Sequence, residues 1–161
     1  MNKVIIVGGG AAGMLCSIIA ARNGCEVFLF EKNEKLGKKL YITGKGRCNV
    51  TNNCEVEELL RAVMTNSKFL YSAFYTFNSQ DMMALLEEAG VPLKTERGNR
   101  VFPESDRSSD IIRGLERLMK KYGVHVRFKS EVREILTQDG AAVGVSLADG
   151  EIKRADAVVV A

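Results

Sequence analysis

The first thirty-one residues constrain the fold more than any other stretch. In KVIIVGGGAAGMLCSIIAARNGCEVFLFE, Lys3 to Val7 is a short continuous apolar run closed by glycine. Such a run suits a strand covered on both faces. Met14, Leu15, Ile18 and Ile19 then recur at helical spacing, and Gly24 stops the pattern where a left-handed C-terminal residue belongs. Val27 to Phe30 reads as a second buried strand ending on Glu31. The sum is a strand-helix-strand unit of about 30 residues.

Within this unit Gly8, Gly10 and Gly13 fill the glycine positions of a dinucleotide fingerprint. The first permits the tight turn, the second lets the backbone approach a pyrophosphate, and the third lets helix and strand pack closely. Phosphates are expected over the N–H groups of Gly10, Ala11, Ala12 and Gly13, at the positive end of the helix dipole. Glu31 stands eighteen residues past Gly13, near the roughly 20 expected of the acid that reads a ribose. Its charge argues against a ribose 2′-phosphate.

Composition and charge narrow the class. At 161 residues, 46% hydrophobic and 27% charged, the chain is long enough for one real core. No window approaches the roughly 18 unbroken apolar residues of a membrane span. A secretory or lipoprotein signal is disfavoured, because Leu15 before Cys16 is bulky and Gly8 to Gly10 break the apolar run. Cys16, Cys25, Cys48 and Cys54 form no C-x-x-C pair and read as free thiols of a cytoplasmic protein. His125 is the only histidine, so no metal set is expected, and its place in an alternating strand pattern suits a structural role. The net charge is +3, yet Lys32 to Arg47 alone carries +5. That basic stretch follows Glu31 directly, and anionic phosphates are its natural counter-charge.

The segment LGKKLYITGKGRCNVTNN reads as a binding loop, with Gly37, Gly44 and Gly46 for close approach and Arg47, Asn49, Thr51 and Asn52 as directional polar groups. Asn52 or Asn53 is expected to cap the helix that Val56, Leu59, Leu60, Val63 and Met64 trace. Phe69, Leu70, Ala73, Phe74 and Phe77 form a helical stripe assigned to the core, and Met82, Leu85, Leu86 and Ala89 another. Thr95 to Ser109 reads as a polar loop with short extended pieces, followed by a helix through Ile111, Leu115, Leu118, Met119 and Tyr122. Val124, Val126 and Phe128 alternate as a strand. Asp139-Gly140 and Asp149-Gly150 divide Glu131 to Arg154 into a three-stranded meander, and ADAVVVA is a last buried strand.

VGGGAAG, the Glu31-Lys32 pair, LGKKLYITGKGRCNVTN and FKSEVREI together resemble the N-terminal part of bacterial flavoproteins that include aminoacetone oxidase and a bile-acid-reducing enzyme. The resemblance implies an α/β Rossmann-like FAD/NAD(P)-binding fold. Its parts would be a parallel sheet, a helical insertion at about 54–110 and an antiparallel meander at about 130–154. It also implies that these residues are the front of an FAD-binding domain, with a substrate domain and a C-terminal part elsewhere, and that they show no turnover alone. By the same resemblance Gly8, Gly10, Ala11, Ala12 and Gly13 hold the pyrophosphate of FAD, and Glu31, with Lys32 beside it, the adenosine ribose. Lys38 and Lys39 lie along the cofactor, Gly46, Arg47, Cys48 and Asn49 near its flavin half, and Val132 touches adenine through its backbone. Lys38 stands where relatives often carry Arg, keeping the charge without the planar fork.

Three readings follow. The one taken forward is the cofactor-binding part of an FAD-dependent oxidoreductase acting on a small molecule, with NAD(P)H as a candidate electron donor. The second is an NAD-binding module without redox activity of its own. The third is a flavoprotein acting on RNA, against which stand the modest net charge and the lack of aromatics interleaved with the basic loop beyond Tyr41. No residue reads as a general acid or base. Cys48 beside Arg47 is the one candidate for an activated thiol, with a packed turn cysteine as the competing role.

Overall fold

A computed structural model describes residues 1–161 and divides them into two compact units, 1–40 with 115–161 and 41–114. The first unit is built on a four-stranded parallel sheet. Its central strands are β1 (Lys3–Val7) and β2 (Glu26–Phe30), joined by α1 (Ala11–Arg22). The near-continuous apolar sequence of these strands fits their burial on both faces: Ile5, Ile6, Val27 and Leu29 are all closed to solvent. Each such side chain contributes about 1.5–3 kcal/mol on removal from water.

The meander supplies one cover of this sheet. It comprises β7 (Val132–Gln138), β8 (Ala141–Leu147) and β9 (Ile152–Arg154), paired antiparallel in that order. Val145 and Leu147 of the meander pack with Ile5 and Phe30, and Val7, Phe28, Val132, Ala155 and Val158 close in around them. Helix α1 packs on β1 and β2, where Met14 and Ile18 are completely buried. The sheet is completed by β10 (Ala157–Val160), parallel to β1, and by β6 (His125–Arg127), parallel to β2. The order β10-β1-β2-β6 is that of an α/β Rossmann-like fold with a separate antiparallel meander. His125 stacks on Phe28, ring centroids 4.8 Å apart.

The second unit holds α3 (Val56–Ala62), α4 (Tyr71–Thr76) and α5 (Ser79–Glu88), together with a three-stranded antiparallel sheet of β3 (Thr51–Asn52), β5 (Arg100–Pro103) and β4 (Leu93–Glu96), in that order. Helix α2 (Lys38–Ile42) and helix α6 (Ser108–Lys121) cross the unit boundaries. Three expectations are corrected or refined here. The short extended pieces of the polar stretch from Thr95 are not loose: β4 and β5 pair as a hairpin, with β3 on the other side of β5. Val101, Phe102 and Pro103 of β5 are all buried.

The aromatic stripe is not core throughout. A 3₁₀ turn, Ser67–Leu70, precedes the short α4, so the 3.6-residue period is broken, and Phe69 is 79% exposed while Met64 is 97% exposed. Tyr71 and Tyr75 also face solvent, their rings 4.5 Å apart, and of the stripe only Leu70, Phe74 and Phe77 are partly buried. Nor do the asparagines cap α3. Its N-cap is Glu55, with no side-chain cap; Asn53 and Asn52 lie two and three residues ahead of it, and the Asn53 side-chain oxygen, the atom a cap would use, accepts the Gln80 amide instead. The true asparagine cap belongs to α5, where Asn78 and Asp81 form a reciprocal capping box.

Candidate functional site

The turn between β1 and α1 is shaped by contacts that exclude side chains. Gly8 has φ +104°, and a Cβ there would lie 2.6 Å from the Ala161 carbonyl oxygen. At Gly13 a Cβ would come within 1.9 Å of the Gly8 carbonyl oxygen, so glycine is what lets α1 approach the strand. Gly9 is equally enclosed: a Cβ would meet Leu36 at 2.3 Å and the Glu31 carboxylate at 3.0 Å. Gly10 is the exception. Nothing lies within 4 Å of where its Cβ would be, and Ala11 and Ala12 beside it are exposed.

Gly10 is also the N-cap of α1, which receives no side-chain cap and has no acid in its first turn. The first N–H groups of the helix therefore lack intrahelical acceptors, and no acid of its own first turn faces the positive end of its dipole. The open volume lies where a diphosphate would meet these donors. The residues thus fit a dinucleotide, by the criterion of a bare-backbone approach that a side chain would fill.

Glu31, directly after β2, is only 7% exposed and is the sole acid or base among the buried polar side chains. Its Oε2 accepts the Gly9 N–H at 2.7 Å, while Oε1 accepts the Asn33 N–H at 2.8 Å and the Asn33 side-chain amide at 2.6 Å. Burial by itself would raise its pKa. The hydrogen bonds from Asn33 and Gly9, with the nearby Lys32 charge, outweigh that effect and hold the carboxyl below its ordinary range. Asn33 is the functional neighbour that sequence reading missed. Lys38 donates to the Asn33 side-chain oxygen at 3.2 Å and pairs with Glu34 at 3.5 Å, whereas Lys32 and Lys39 are exposed. Val132 opens β7, half-buried and paired with Leu147.

The other expected residues belong to the second unit. Part of the loop that was expected at 36–53 is helical, as α2 and a 3₁₀ turn, Thr43–Gly46. Lys45 and Cys48 take left-handed backbone, φ +56° and +61°, which is uncommon for residues with a Cβ. Arg47 turns to its own unit: its Nε donates to Asp106 at 2.8 Å, it pairs with Glu96, and its guanidinium lies 4.1 Å from the centre of the Phe102 ring. Lys94 joins the same acids, 2.6 Å from Asp106 and 3.7 Å from Glu96. With its amide nitrogen toward the carbonyls, Asn49 donates to Thr51 at 3.1 Å and Val101 at 3.2 Å.

This arrangement overturns the activated-thiol reading of Cys48. The side chain is 2% exposed, and burial pushes its thiol up, opposed only in part by a hydrogen bond with Thr43. The Arg47 charge that was to lower it is spent on Glu96 and Asp106. The packed turn cysteine is what remains.

Known proteins agree with this architecture. The 3-dehydro-bile acid delta(4,6)-reductase of Clostridium scindens is 31% identical over 163 aligned residues, which is 100% of this chain and 39% of that protein. The ribosomal RNA dihydrouridine synthase of Escherichia coli is 33% identical over 131 residues, covering 81% of this chain and 32% of the relative. The chain therefore spans well under half the length of these relatives. Among solved structures, the 3-ketosteroid-delta4-(5alpha)-dehydrogenase of Rhodococcus jostii RHA1 shares the fold at a TM-score of 0.74 and 17% identity, over 99% of this chain and 45% of that one. No helix is long and apolar enough to cross a membrane. The HI0933-like protein Rossmann domain matches residues 2–161, and the chain belongs to that family.

Proposed function

We propose that this chain is the FAD-binding part of a flavin-dependent oxidoreductase, with the adenosine diphosphate half of the cofactor held by the first unit. The observation that carries the reading is the pairing of two features across one turn: open space over Gly10 at an uncapped helix start, and the Glu31 carboxylate 2.7 Å from the Gly9 N–H next door. In this reading the N–H groups of Gly10 to Gly13 bind the pyrophosphate and Glu31 accepts from the ribose. Lys32, Lys38 and Lys39 supply positive charge nearby, and Val132 meets adenine through its backbone. FAD, when bound, supplies the redox chemistry, and the protein binds and orients it. The assignment of Gly46, Arg47, Cys48 and Asn49 to the flavin half rests on the family resemblance. Arg47 in particular is already paired with Glu96 and Asp106.

The relatives' names support two substrate classes for the whole protein, a small molecule such as a bile acid and ribosomal RNA. The small-molecule reading is preferred, with NAD(P)H as the electron donor. The basic run from Lys32 to Arg47 favours keeping the RNA reading as the second. Titrating the flavin-free protein with FAD, followed by flavin fluorescence, tests the cofactor assignment. Saturable binding that ADP displaces supports it, and NAD binding without FAD binding would favour a nicotinamide module instead. RNA retention that falls steeply with salt would favour the second substrate class.

A further inference from the structure

The acceptor capacity of Glu31 is nearly exhausted by the protein itself. A carboxylate offers about four lone-pair positions, two on each oxygen. Both positions of Oε1 are filled by Asn33, through its backbone N–H at 2.8 Å and its side-chain amide at 2.6 Å. Oε2 is used once, by the Gly9 N–H at 2.7 Å. One position is left. Reading two adjacent ribose hydroxyls side by side requires an open position on each oxygen.

Asn33 is not loosely placed. Its carbonyl accepts the Lys129 N–H at 3.0 Å, which fixes its backbone. Its side-chain oxygen accepts from the Lys38 ammonium at 3.2 Å, and since an ammonium only donates, the amide must present oxygen to Lys38 and nitrogen to Glu31. We propose that Asn33 is a specificity-determining positioning residue: it closes Oε1, so that Glu31 reads a single ribose hydroxyl of an adenine nucleotide through Oε2. This rests on the adenine-nucleotide reading above, and it makes the site tolerant of change at the other hydroxyl.

Calorimetric titration with ADP, 2′-deoxy-ADP and 3′-deoxy-ADP tests the idea. In the unaltered protein, loss of one hydroxyl should weaken binding about tenfold, the scale of one hydrogen bond to a charged group, and loss of the other by no more than about twofold. Asn33→Ala keeps the backbone bond but reopens one position on Oε1, so both deoxy analogues should then bind about fivefold or more weaker than ADP. A purely structural role for Asn33 would change all three affinities together and leave their ranking alone. Equal losses for the two analogues in the unaltered protein would overturn the proposal whether or not the variant folds. So would an Asn33→Ala protein that keeps the original asymmetry. Failure of ADP to bind at all would instead remove the adenine-nucleotide reading, and this inference with it.

Discussion

Gly10 and Gly13 are three residues apart in one fingerprint, and the structure assigns them opposite sensitivities. Consider Gly10→Val beside Gly13→Ala. The backbone of Gly10, at φ −77° and ψ −172°, is extended and open to valine, and no atom lies within 4 Å of the new Cβ. The only stability loss is a poorer helix N-cap, about 0.5–1 kcal/mol, or about 1–4 °C in Tm for a chain of this size. At Gly13 the added methyl stands 1.9 Å from the Gly8 carbonyl oxygen and 3.1 Å from its carbon, where ordinary contact begins at 3.4 Å. Helix and turn must separate by more than an ångström, and neither neighbour is a flexible side-chain end. Overpacking of this kind costs about 3 kcal/mol or more, a Tm loss of about 6–12 °C. Binding should rank the other way. The valine at Gly10 fills the volume assigned to pyrophosphate and should weaken ADP or FAD binding roughly a hundredfold or more while the circular dichroism spectrum is retained. Thermal melts and nucleotide titrations of both variants decide the matter. Unchanged affinity in Gly10→Val would refute the phosphate cradle, and an unchanged Tm in Gly13→Ala would refute the close-packing argument.

Glu31→Ala leaves the buried N–H of Gly9 and the part-buried N–H of Asn33 without their acceptor, so a loss of about 1–3 kcal/mol is expected in denaturant unfolding alongside weaker nucleotide binding. Because the folded-state pKa of Glu31 is lowered, its contribution is complete above the unfolded carboxylate value of about 4.3 and is lost as pH falls through the folded value. Glu31→Gln should accordingly flatten the acid limb of the stability profile, and an unaltered limb would count against the charged form. Native Cys48 should resist alkylation at pH 8 and react only after unfolding, measured by mass spectrometry of the labelled peptide. Asp106→Ala should cause a small, salt-sensitive destabilisation by releasing both Arg47 and Lys94, and a loss that is the same at high and low salt would contradict the ion-pair account.

Local signals carried the first unit. The Val7-Gly8 break, the helical spacing of Met14 and Ile18 and the apolar run at Val27 are each set by neighbours in sequence, and each matched an element. Asp139-Gly140 likewise placed the turn of the meander. What failed depended on distant partners. The spacing of Phe69 with Ala73 and Phe77 specifies a face but not something to cover it, and Phe69 sits in a 3₁₀ turn ahead of α4 and is left in solvent. The β4–β5 hairpin was hidden by Lys94, Glu96 and Arg100, although Gly98-Asn99 was a usable turn signal. The glycine fingerprint and Glu31 were legible as a motif. That Asn33 saturates Oε1, or that Arg47 pairs with Glu96 and Asp106, follows from tertiary placement that no spacing rule encodes.

The pairing of β1 with β10 also imposes an order on synthesis. The Lys3 N–H donates to the carboxylate of Asp156, 153 residues later, and Val4 sits beside Ala157. A ribosome adding about 5–20 residues per second needs on the order of 10–30 s between making the two strands. Through that interval β1 can pair with β2 and be covered by α1, but its other edge stays open, an apolar template for any passing strand. The nascent first unit thus keeps that edge exposed to mispairing until residues 157–160 have been made.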